Sequence, residues 1–91
     1  MKTNEQVITA WTNGLPARAK NLWTDGENLY SYSLVIGKNK GGESIVFDYT
    51  ARGGAYCSQT TSSHVGLAAL QADQLMNVDE ALQVLFIGER Q

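Results

Sequence analysis

The chain reads as an α+β domain: an antiparallel β-meander of four to five strands followed by two C-terminal helices. Three observations predict it. Up to about residue 59, runs of period-two alternation are separated by turn signals at Asp25-Gly26, Gly41-Gly42 and Gly53-Gly54. From Ser62 onward the apolar period becomes helical. The 91 residues allow one core and no second, so the domain spans 1–91, with the sheet over about 6–59 and helices over about 62–75 and 78–87.

Taken in order, Met1 to Gln6 is polar and reads as a frayed end. Val7-Ile8-Thr9-Ala10-Trp11 has the β-branched and aromatic character of a first strand, broken by Asn13-Gly14 ahead of the single proline, Pro16. Residues 17–24 form a second strand, with a short helix as the competing reading. Asp25-Gly26 then makes a tight turn, because glycine reaches positive φ at little steric cost. Leu29 to Ile36 alternates, and the side carrying Tyr30, Tyr32, Leu34 and Ile36 is read as the core face. Lys38 to Gly42 is a hairpin loop, and Ile45 to Ala51 returns with Ile45, Phe47 and Tyr49 buried and Val46, Asp48 and Thr50 exposed. Arg52-Gly53-Gly54 turns once more, and Ala55 to Ser58 completes the meander.

The helical part starts with Thr61 or Ser62 as N-cap, followed by Val65, Ala68 or Ala69, Ala72 and Leu75 or Met76. A second start follows at Asn77, with Glu80 in a capping-box-like position. Val78, Ala81, Leu82, Leu85 and Phe86 fall on one helical stripe, while Val84 and Ile87 lie off it. A terminal helix that is apolar on more than one side predicts a homo-oligomer contact through Leu82, Val84, Leu85 and Ile87.

Seven basic against nine acidic side chains give a formal charge of −2, which argues against broad, salt-driven nucleic-acid binding. The lone Cys57 precludes an intramolecular disulfide, and no apolar run is long enough for a signal peptide or a bilayer span. A soluble protein of the cytoplasm is expected, with no membrane partner.

The richest candidate site is the hydroxyl row Ser58, Thr60, Thr61, Ser62 and Ser63, ending at His64. A helix start offers free backbone N–H groups and the positive end of the dipole, so hydroxyls there suit a phosphate, while the plainer reading is an ordinary cap. Arg52, beside Gly53-Gly54, is the best placed of the cations that could meet an anion, the others being Arg18, Lys20 and Arg90. Ligand-binding residues are therefore expected to be Arg52, Ser58, Thr60, Thr61, Ser62 and His64. A neutral imidazole is expected at His64 because the helix dipole opposes a charged one in the first turn. One histidine and one cysteine make a poor zinc set, and Cys57 and His64, seven positions apart, have no geometry that sequence fixes. The aromatic residues, Trp11, Trp23, Tyr30, Tyr32, Phe47, Tyr49 and Tyr56, are able to stack on a base, although most belong to a core. No catalytic residue, cofactor or metal is assigned.

The segments Leu29-Tyr30-Ser31-Tyr32, Val46 to Ala51 and Tyr56 to His64 together resemble a family of small tailed-bacteriophage proteins in which an SY strand precedes a Y-x-S-x-T-T-S-x-H element. The resemblance covers roughly residues 20–66 and implies a phage origin rather than an activity. The order of sheet and helices is also similar to that of Thoeris anti-defence proteins, which sequester nucleotide immune signals; this likeness is topological and transfers no residue.

The expectation is a non-enzymatic phage accessory protein of the host cytoplasm that neutralises a host factor, with a phosphorylated nucleotide signal as the ligand. The first alternative is an inhibitor or regulator of a host protein that uses an exposed sheet face or the Val84 and Ile87 helix. The second is a nucleic-acid-binding regulator using Arg18, Lys20, Lys38 and Lys40.

Overall fold

A computed structural model describes residues 2–50 and 58–81. It begins with a helix where a strand is expected. Thr3 caps α1 (Asn4–Thr12) reciprocally with Gln6: the Thr3 hydroxyl accepts from the Gln6 amide at 3.2 Å, and Gln6 Oε1 accepts from the Thr3 amide at 2.9 Å. Val7, Ile8 and Trp11 then fall on one helical face and are fully buried. Their β-branched and aromatic character favours a strand only weakly, and the capping box overrides it. The helix stops because Gly14, at φ +75°, donates to Trp11 O while Leu15 donates back to Ala10 O, a pairing that satisfies the last carbonyls.

Among the described residues six strands follow where four to five are expected, because residues 17–24 and 29–36 each divide between two strands. β1 (Pro16–Arg18), β2 (Leu22–Asp25), β3 (Asn28–Ser31), β4 (Leu34–Lys40) and β5 (Glu43–Phe47) form an antiparallel meander. α2 (Gln59–Gln71) then carries the chain across to β6 (Gln74–Met76), which lies parallel to β5 at the far edge. α3 (Val78–Ala81 as described) starts from Asn77, whose Oδ1 accepts the Asp79 amide at 2.9 Å. The α+β class stands. The order is revised, since one helix precedes the sheet, the last strand is parallel, and α2 ends at Gln71 so that 74–76 is strand rather than helix.

The Leu29–Ile36 run is two strands rather than one. Tyr32 and Ser33 make a two-residue turn, with Tyr32 at φ 59° and its amide donating to Asn21 O. The register then slips between Leu29–Gly37 and Tyr30–Val35, inserting Ile36 as a bulge in β4. As a result Leu29 and Ser31, not the tyrosines, face the helices and are completely buried. The expected core face is therefore reversed over β3. In β5, Val46 is as buried as Ile45 and Phe47, because this interior strand is covered on both faces.

α1 and α2 lie on one face of the sheet over Leu22, Leu29, Ile36 and Val46, with Trp11, Val65 and Ala68 between the layers. Thr9 Oγ1 donates to Gln71 Oε1 at 2.9 Å and ties the two helices together. Trp11 sits at the centre: its Nε1 donates to Glu27 O at 3.0 Å, and its ring lies on Gly37, where no side chain intervenes. Asn39 locks the same region by donating to Trp11 O and Gly26 O while its Oδ1 accepts from Ser44. On the opposite face, a smaller cluster of Ile45, Phe47 and Ala81 joins the first turn of α3 to β5.

Candidate functional site

Ser58 is the N-cap of α2, one turn earlier than Thr61 or Ser62, and its Oγ accepts from the Thr61 amide at 3.1 Å. That shift disperses the expected hydroxyl row around a helix. Thr60 and Ser63 face water, Ser62 is half-buried, and Thr61 and His64 turn inward and are almost fully buried. His64 is the sixth residue of the helix and not part of its first turn. Among the described residues these six positions do not converge on one cradle. Arg52, Cys57 and the oligomer-contact residues Leu82, Val84, Leu85 and Ile87 lie outside the described residues, as does Arg90.

The inward side chains close a polar contact inside the core. Ser31 Oγ shares a hydrogen bond with His64 Nδ1 at 2.7 Å and another with Thr61 Oγ1 at 3.1 Å. Burial pushes the His64 pKa below its ordinary value, so the imidazole is neutral near pH 7. A serine 2.7 Å from a histidine resembles half of a nucleophilic pair. Ser31, however, exposes none of its surface, and its hydroxyl is shared with Thr61. The contact joins α2 to β3, and its role is to hold the two together.

The other face of the sheet is different. Trp23 and Tyr30 are cross-strand partners whose rings stack at 4.0 Å, 8° from parallel. Arg18 is the partner of Trp23 on the other side, and its guanidinium stands 5.2 Å from the indole centroid. The three side chains form a row across β1, β2 and β3. Trp23 is fixed from its edge, since Nε1 donates to Tyr32 O at 2.8 Å. Arg18 is exposed and the two rings are half-buried. Among the described residues, α3 covers this face only near β5, and Arg18 has no carboxylate within ion-pairing distance. Lys38, by contrast, pairs with Glu27 at 2.9 Å, which weakens the set Arg18, Lys20, Lys38 and Lys40 as a nucleic-acid surface.

Two residues beyond Trp23 along β2, the Oδ1 of Asp25 accepts from the Asn28 and Glu27 amides, and these bonds hold its carboxyl below the usual range. It remains an anion that closes the turn. A shallow groove of about 200 Å³ also lies between β4, β5 and α3, but its walls, Val35, Phe47, Val78 and Ala81 among them, are mainly apolar. Among the described residues it lacks the convergent polar groups that orient a ligand.

The Arg18–Trp23–Tyr30 row was partly legible in the sequence. Counting outward from the two-residue loop Gly26-Glu27 pairs Thr24 with Leu29 and Trp23 with Tyr30. The period-two reading across the Tyr32-Ser33 turn hid it by placing Tyr30 in the core. No family model, curated protein or solved structure matches the chain.

Proposed function

We infer that the chain is a non-enzymatic binding module, an accessory protein of phage origin that neutralises a host factor through the open face of β1–β3. The observation that carries this reading is the row Arg18–Trp23–Tyr30: two large rings half-exposed beside an exposed guanidinium that has no ion-pair partner among the described residues. Aromatic and arginine side chains concentrate binding energy where they are preorganised, and here both rings are stacked and one is hydrogen-bonded in place. The reading moves the recognition surface from the Ser58–His64 corner, where Thr61 and His64 serve the core, to the opposite side of the sheet.

Native mass spectrometry of protein purified from infected cells tests it. The wild type is expected to carry a retained partner or small molecule that an Arg18→Glu/Trp23→Ser double variant of the same far-ultraviolet circular dichroism lacks. Equal retention by both, or none by either, removes the open face as the recognition surface. A retained mass corresponding to a second copy of the chain in both proteins would instead support the C-terminal helix contact.

A further inference from the structure

The stack on the open face is finished on one side only. Tyr30 lies flat against the inner side of Trp23 at 4.0 Å, a full ring contact. On the outer side, among the described residues, stands the Arg18 guanidinium, at 5.2 Å from the centroid, wider than the ring pair. β1 is the edge strand of the sheet, and beyond it lies the start of the chain, where the Lys2 amide donates to Arg18 O at 3.2 Å. β1 is also only three residues long and begins with Pro16, which leaves little backbone for pairing with an added strand. The outer flank of Trp23 is thus a slot one planar group wide, held at present by a planar cation on a flexible stem.

The charges around the slot select its occupant. Arg18 has no carboxylate within ion-pairing distance among the described residues, and Lys20 follows two residues later in the exposed β1–β2 turn. The acidic neighbour on this face, Asp25, sits opposite Pro16 at the other end of β1, where its Oδ1 accepts from both the Asn28 and the Glu27 amides. In a chain of net charge −2, this end of the face presents a guanidinium and an indole together, with Lys20 in the adjoining turn. A cation–π contact at an exposed site is weak, whereas a charge-assisted fork to a phosphate and a base–indole stack are each stronger.

We propose that this flank binds a planar aromatic anion, with a nucleoside monophosphate as its simplest form. The base stacks on the outer side of Trp23, extending the Tyr30–Trp23 stack by one ring. The Arg18 guanidinium leaves the indole for the phosphate, and Lys20 supplies the second positive charge. The proposal rests on the open face being the recognition surface, and it names the ligand class for that face.

Fluorescence titration of the full chain with adenosine 5′-monophosphate tests it, with adenosine and inorganic phosphate as the partial ligands. Trp11 is fully buried, so a Trp23→Phe variant assigns any quenching to Trp23 while keeping a stacking ring. Saturable quenching by the monophosphate is expected, with adenosine weaker by about tenfold and phosphate alone silent. Arg18→Gln should lose about tenfold for the monophosphate and leave adenosine unchanged. Trp23→Ala, followed by calorimetry, should lose about tenfold or more for both. Equal binding of monophosphate and adenosine, full binding by Trp23→Ala, or no response to the monophosphate at millimolar concentration overturns the proposal. Unchanged melting of Arg18→Gln and Trp23→Phe establishes that the comparisons are made between folded proteins. If the monophosphate fails while the retained partner in native mass spectrometry still depends on Arg18 and Trp23, the ligand class falls and the open face stands. If that dependence is also absent, both fall.

Discussion

Replacing Gly37 with alanine tests the centre of the fold with a single methyl group. A Cβ built on Gly37 lies 2.8 Å from Trp11 Cζ2, 2.9 Å from Cη2 and 3.3 Å from Ile45 O. Carbon atoms in contact prefer about 3.5–4.0 Å, so the indole would have to withdraw by most of an ångström. It has nowhere to go: Trp11 is fully enclosed, and Nε1 is bonded to Glu27 O at 3.0 Å. Overpacking of this kind costs about 1–3 kcal/mol. Replacing a strand glycine restores about 0.5–1 kcal/mol through lower unfolded-chain entropy, which leaves a net loss of up to about 2.5 kcal/mol; the 2.8 Å approach to an enclosed ring puts Gly37→Ala at about 1–2 kcal/mol within that range. For a domain of this size that is a fall in Tm of about 5–15 °C. Urea unfolding followed by Trp fluorescence and near-ultraviolet circular dichroism would measure both the loss and the displaced indole. A Gly37→Ala protein with wild-type stability and an unchanged tryptophan signal would refute the packing argument.

Three further outcomes follow from the same geometry. Gly66 lies in the exposed part of α2 with nothing within 4 Å of its virtual Cβ, so Gly66→Ala is expected to raise stability by about 0.5–1 kcal/mol in the same urea assay. His64 has its folded pKa depressed by burial, so the unfolded chain takes up the proton first as the pH falls. Stability is therefore complete above the ordinary value of 6.5 and is lost as the pH falls from there towards the folded pKa; the slope between pH 7 and 5 should flatten in His64→Gln, and an identical slope would place the titration elsewhere. Thr3→Ala removes the α1 cap and should cost about 1 kcal/mol with no change at the open face, checked by thermal melting.

Part of this fold was readable residue by residue. The Asp25-Gly26 turn, the Gly41-Gly42 hairpin and the Asn77 cap all occur as expected, because each depends on the local chemistry of two to four residues. The capping box of Thr3 and Gln6 was equally local, and it predicts α1 more strongly than the β-branched residues after it argue for a strand. The Tyr32-Ser33 turn carried no such signal. A tyrosine at φ 59° is an uncommon turn residue, sustained here by the Asn21 carbonyl that accepts its amide and the Trp23 indole that donates to its carbonyl, and neither partner is adjacent in sequence.

The sequence by itself determined the α+β class, the single core and the main turns, since composition and local propensity act over a few residues and need no partner. Which face of β3 is buried was decided by tertiary structure. The Tyr32 turn and the Ile36 bulge set the register, and with a side-chain period of two a single step exchanges core and surface. That exchange turns Ser31 inward to meet Thr61 and His64 of α2 and leaves Tyr30 outside, stacked on Trp23 beside Arg18.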